Sequence, residues 1–171
     1  MPPGFELPIV LGLDPGTQVV GYGALVLAVD GPRLLTAGVL RAPARRPAHE
    51  RLGILSEAFD ELLAAARPTT VVIENAFTHR NPRTAIRLGE ARGMVIAAAV
   101  RAGAGIEEIS PSEAKRRVTG NGNAAKSQVA AMVPRLVAMP DVDLPEDATD
   151  ALALALAYAR RRELDRATGG G

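Results

Sequence analysis

The chain has 171 residues, with 20 Lys and Arg against 19 Asp and Glu, no Cys and 3% aromatics. That length suits one domain burying about 70% of its unfolded surface, and 47% hydrophobic with 23% charged residues excludes a disordered chain. Without cysteine there is no disulfide scaffold, thiolate zinc site or thiol nucleophile, and no apolar run approaches the ~20 residues of a membrane span.

Residues 1–8 lack a basic leader and are broken by Pro2, Pro3 and Pro8, so they read as an N-terminal extension and the expected location is cytoplasmic. Ile9 to Leu13 is a short apolar run ending in the turn Asp14-Pro15-Gly16-Thr17. Residues 19–29 and 33–41 follow, with a turn at Asp30-Gly31-Pro32, and the short spacing predicts an antiparallel meander. From Ala48 to Arg67, Leu52, Leu55, Phe59, Leu62 and Leu63 recur at helical spacing up to Pro68. Thr70 to Ile73 reads as a buried strand leading into Glu74, and a helix is predicted from about Arg83 to Ala102, then a strand over 106–109.

Ser110-Pro111 has the form of a helix start. After a Gly/Asn loop at 120–123 a helix is predicted over about 124–138, then a polar loop at 140–146. The last helix is predicted from near Pro145 to about Arg162, buried on most sides because alanines fill the places between Leu152, Leu154 and Leu156. The expected architecture is α/β: one domain over 9–163 built on a five-stranded mixed sheet, its first three strands antiparallel and the rest parallel, flanked by helices, with a disordered tail at 164–171.

Four carboxylates stand at telling places. Asp14 ends the first strand, Glu74 ends the fourth, and Asp147 and Asp150 share a face at the start of the last helix. Ligands of α/β sheets bind beyond the C-terminal ends of the strands, so neighbouring first and fourth strands would put these acids in one crevice. Like charges gathered there need a cation, and an all-oxygen set suits Mg²⁺ or Mn²⁺ rather than zinc. Two such ions can activate a water and stabilise the leaving oxygen of a phosphoryl displacement. Each signal also has a plainer meaning: a tight turn at Asp14, surface decoration at Glu74, and a helix dipole complemented by Asp147 and Asp150.

Residues 80–126 hold nine basic and four acidic side chains between flanks that are net acidic, which suits an anionic ligand beside a carboxylate cluster. Arg80, Arg83 and Arg87 are spaced to form one basic stripe, or an ordinary solvated helix face. Phe77, in a polar loop, is placed either to stack on an unpaired base or to plug the local packing. Lys115 and Lys126 flank Gly120-Asn121-Gly122-Asn123 and suit phosphate oxygens, with surface lysines as the alternative. Gly89, Gly93 and Ala97 recur every four residues with Ile86, Ile96 and Val100 nearby, a face that admits close approach of a second helix. A homodimer with a two-fold axis is expected there.

The blocks LGLDPGTQVVGYG, VVIENAF, AIRLGEARGMVIAAAV, PSEAKRRVTGNGNAAKSQV and DATDALALALAYA, in this order, resemble the RuvC family of Holliday-junction resolvases over about residues 9–162. The resemblance implies a ribonuclease-H-like fold, a homodimer, and Mg²⁺-dependent nicking of opposed strands at a four-way DNA junction, leaving 5′-phosphate and 3′-hydroxyl ends. It also implies two ions per site, with Mn²⁺ as a substitute, and the RuvA–RuvB branch-migration complex as partner. The family's four catalytic, metal-holding acids fall on Asp14, Glu74, Asp147 and Asp150, its junction-contacting aromatic on Phe77, and its functional lysines on Lys115 and Lys126. One departure stands beside the site: Asn75-Ala76-Phe77 follows Glu74 where the family has Gln-Val-Phe. Two rival readings are an actin-like ATPase, for which 171 residues supply only one of two needed domains, and a catalytically silent junction binder, against which the retained acids argue.

Overall fold

A computed structural model describes residues 7–75, 81–137 and 143–169. Five strands form one sheet: β1 (Ile9–Pro15), β2 (Val19–Ala28), β3 (Gly31–Arg41), β4 (Thr70–Glu74) and β5 (Gly105–Ile109), in the order β3-β2-β1-β4-β5. The first three are antiparallel, while β4 joins β1 and β5 joins β4 in parallel, as the turn chemistry and the intervening helices require. Helices α1 (Ala48–Ala66) and α2 (Pro82–Arg101) cover one face. Helices α3 (Pro111–Thr119), α4 (Lys126–Leu136) and α5 (Glu146–Ala167) cover the other.

The two-residue period of a strand sorts the side chains between these layers. On β1, Leu11 and Leu13 enter the core shared with α1 and α2, whereas Val10 faces α5. On β4, Val71 and Ile73 join the first core and Val72 the second. By the same alternation Gly12, Asp14 and Glu74 belong to the α5 face.

On that face the sheet is stripped of side chains where α5 lies. A Cβ on Gly12 would stand 1.9 Å from the Ala151 carbonyl oxygen, and one on Gly21 2.0 Å from that of Asp147. The helix answers with Ala148, Ala151 and Ala155, all fully buried, so its backbone rests directly on β1 and β2.

Local chemistry sets the helix starts. Asn81 caps α2 by accepting from Arg83 N–H at 3.0 Å, with Pro82 in the first turn. Ser110 caps α3 by accepting from Glu113 N–H at 3.1 Å. Helix α4 begins at Lys126 rather than 124, where the Gln128 side chain accepts from Ala125 N–H at 2.8 Å. Helix α5 continues to Ala167, beyond the expected Arg162 and into the stretch read as a disordered tail. A run of charged residues ends the apolar pattern there without breaking the helix, which holds neither Gly nor Pro. Phe77, Arg80, residues 140–142 of the 140–146 loop and residues 1–6 of the 1–8 extension lie outside the described residues.

Candidate active site

The parallel register of β1 and β4 pairs Leu13 with Ile73, so the next residue on each strand, Asp14 and Glu74, stands at the same C-terminal edge. On its other side Asp14 is opposite Gly21 of β2, and over Gly21 lies Asp147. Asp14 is thus the centre of the constellation. Glu74 flanks it on one side and Asp147 on the other, while Asp150 reaches in from one turn further along α5. Asp14, Glu74, Asp150, Lys115 and Lys126 line one cleft, floored by Ala114 and Val129. Asp147 is not among the lining residues, and its charge reaches Asp14 from the β2 side.

The electrostatics record the crowding. Burial first, then the charges of Asp150, Asp147 and Glu74, push the Asp14 carboxyl up to about 6, against a smaller opposing pull from Lys126. Burial and then Asp150 raise Glu74 above the ordinary carboxylate range, with Lys126 and Lys115 opposing. The Lys126 ammonium donates to Asp150 Oδ2 at 2.7 Å and to Glu146 Oε1 at 3.0 Å, and these bonds hold its proton more firmly than in a free lysine. Among the described residues no three acids are gathered closely enough to hold one ion. Lys126 and Lys115 bring positive charge to the cluster, and the acids offer carboxylate oxygens, donors that fit a hard divalent cation in kind.

A pH prediction follows for the protein without divalent cations. The folded state takes up a proton on Asp14 near pH 6, while the unfolded chain does so only near its ordinary value of 3.8. The ionised form therefore weakens the fold above pH 6, and stability from this group rises as pH falls through that window. Melting temperatures across it will rise more steeply for the parent protein than for Asp14→Asn. Parallel curves would show that Asp14 titrates normally.

The remaining sequence-predicted residues divide. Arg83 and Arg87 are exposed on the first turns of α2; Arg87 borders a shallow crevice with Thr17 and Arg51 between α1 and α2, apart from the acid cleft. On the α2 face expected to meet a second copy, Ile86, Gly89, Gly93, Ala97 and Val100 are exposed, whereas Ile96 packs partly into the core with α1. Two partners of the site were not among the candidates: Glu146, which shares Lys126 with Asp150, and Arg92, whose Nη1 donates to the Glu74 carbonyl at 2.5 Å. Glu146 is visible in sequence as an acid next to Asp147; nothing in the sequence distinguishes Arg92 from any other helix arginine.

A mixed five-stranded sheet carrying acids at the ends of its central strands and on a crossing helix defines a ribonuclease-H-like nuclease fold. The structure of Thermus thermophilus RuvC in complex with Holliday junction substrate superposes with a TM-score of 0.84 at 33% identity, covering 93% of this chain and 96% of that one. The yeast mitochondrial Holliday junction resolvase Ydc2 shares the fold with a TM-score of 0.70 at 16% identity, covering 97% of this chain and 83% of that one. The crossover junction endodeoxyribonuclease RuvC of Chlorobaculum parvum is 42% identical over 147 residues, 86% of this chain and 79% of that relative. Residues 10–158 match the family model for crossover junction endodeoxyribonuclease RuvC, and the chain belongs to the RuvC family.

Proposed function

We propose that this protein is a structure-specific endodeoxyribonuclease that resolves four-way DNA junctions by paired symmetric nicks, leaving 5′-phosphate and 3′-hydroxyl ends, in recombination and repair. The observation that carries the reading is the meeting of Asp14, Glu74 and Asp150 with Lys115 and Lys126 in one cleft of a chain of the RuvC family. Asp14, Glu74, Asp147 and Asp150 would hold the metal, Mg²⁺ with Mn²⁺ as substitute and two ions per site. Bound divalent ions supply a water of lowered pKa and charge for the leaving oxygen.

The chain's own groups do the rest. Asp14, between the other acids, fixes the centre of the site at the C-terminal edge of β1 and β4. Lys115 and Lys126 offer compact positive charge to phosphate oxygens, Lys126 by exchanging a carboxylate partner for the phosphate. Phe77 is assigned to stacking on an unpaired base of the junction, and Arg80, Arg83 and Arg87 to DNA binding. The exposed small-residue face of α2 is assigned to the homodimer contact, and RuvA–RuvB is the proposed partner complex. No helix among the described residues is long and apolar enough to cross a membrane, and a cytoplasmic location belongs to this proposal.

Incubating a labelled synthetic four-way junction with the protein and Mg²⁺ or Mn²⁺ tests the reading. Ligatable nicked duplexes in pairs are the expected products, and an intact junction in both metals would overturn it. Lys126→Ala is expected to slow cleavage about 10- to 100-fold, the loss of one charged contact to the transition state, with junction affinity reduced by a smaller factor. Cleavage at the parent rate would assign Lys126 to the surface.

A further inference from the structure

We propose that Arg92 is a positioning residue for Glu74, acting through the backbone at the end of β4 rather than on the carboxylate itself. The inference rests on the reading of Glu74 as a metal-holding acid and adds to it the group that aims it.

The strand ladder runs out at Glu74. Its neighbour Asn75 makes the last sheet bond, donating to the Ile109 carbonyl at 3.1 Å, and on the β1 side the register ends at Ile73. The Glu74–Asn75 peptide plane is thus held by the sheet through its N–H alone, with no β1 pairing beyond Ile73 on the carbonyl side, and the Glu74 side-chain rotamers follow the backbone angles this plane sets. Arg92 closes this gap. It comes from α2, on the opposite face of the sheet from the acid cleft, with its side chain only 13% exposed. Its Nη1 donates to the Glu74 carbonyl at 2.5 Å, and its Nη2 lies 2.7 Å from Glu108 Oε1 on β5.

One rigid guanidinium fork thereby joins α2, the last residue of β4, and β5. Burial strengthens such a charge-assisted bond. The charges acting on the Glu74 carboxyl are those of Asp150, Lys126 and Lys115. The contact that Arg92 makes with this residue is at the backbone carbonyl, so the peptide plane is the part of Glu74 it holds. Glu108 is half exposed, so its pairing with Arg92 adds little stability; its contribution is to aim the fork.

The test compares Arg92→Gln, Arg92→Lys, Glu108→Gln and Glu74→Gln. Four quantities are read: Mn²⁺ affinity without DNA by electron paramagnetic resonance, junction affinity, single-turnover cleavage at saturating protein, and melting temperature. Arg92→Gln is expected to weaken Mn²⁺ binding and slow cleavage about 10-fold or more, with junction affinity within about 2-fold of the parent. Arg92→Lys should recover part of both losses, and Glu108→Gln should show a smaller loss of both at an unchanged melting temperature.

Parent-like Mn²⁺ affinity and rate in Arg92→Gln overturn the inference. So does a joint fall of rate, junction affinity and melting temperature that cooling reverses, since that marks a purely structural role. If the Arg92 variants do not fold, Glu108→Gln decides, and parent-like Mn²⁺ affinity and rate in it overturn the inference. Glu74→Gln separates the two levels. Its inactivity beside a normal Arg92→Gln defeats only the positioning role, whereas full-rate cleavage by Glu74→Gln defeats the site itself.

Discussion

Asp14→Asn is expected to lower junction cleavage by at least about 10³-fold, close to 4 kcal/mol of transition-state stabilisation, while the variant still binds the junction. The substitution keeps the shape and removes one charge from the residue that stands between Glu74 and Asp147 and near Asp150. The same residue carries the largest electrostatic burden of the cluster, its carboxyl pushed up to about 6 by burial and by those three acids. Loss of function and gain of stability should therefore arrive together: the Asn variant melts higher than the parent at neutral pH without divalent ions, because an unfavourable buried charge is gone. Single-turnover cleavage and a melting curve on the same preparation check both halves. A variant that cuts at the parent rate, or that is inactive because it melts lower, contradicts the assignment.

Gly12→Ala is expected to destabilise the fold by about 3 kcal/mol or more, a fall of roughly 6–12 °C in melting temperature for a chain of this size. The added methyl would meet the Ala151 carbonyl at 1.9 Å and the Ala155 nitrogen at 2.9 Å. Both are helix backbone atoms that no rotamer change can move aside, so α5 must lift from β1. Gly21→Ala pushes at the other end, against the carbonyl of Asp147, and should cost cleavage as well because it displaces an acid. Gly53→Ala provides the contrast, since nothing lies within 4 Å of a Cβ there in the middle of α1; it should stabilise by up to about 1 kcal/mol through helix propensity. Thermal melting of the three variants checks the order. Equal melting temperatures for Gly12→Ala and the parent would mean that α5 does not rest on the sheet.

The acid constellation was readable because its elements announce themselves one at a time. A carboxylate ends each of two apolar strands, and a pair spaced by one turn opens an alanine-rich helix. Whether β1 and β4 are neighbours was the missing premise, and their parallel pairing supplies it. The split between Asp150 in the cleft and Asp147 over Gly21 was beyond reach, since spacing puts both on one helix face and only the seating of α5 tells them apart. Arg92 and Glu146 were hidden for a related reason. Each acts through a partner distant in sequence, Glu74 or Lys126, and neither leaves a local pattern. Helix α5 outruns its hydrophobic pattern because the end of such a pattern is not the end of a helix.

The acids are delivered by widely separated stretches of chain, with Asp147 and Asp150 on the helix translated after every strand is complete. A growing polypeptide therefore has all five strands in hand while two of the four acids are still untranslated. Only when α5 seats on the bare glycine surface do the acids on both sides come within reach of one another. On the proposed assignment of these acids, a product truncated before residue 147 carries only Asp14 and Glu74 of the four and is expected to leave a four-way junction intact.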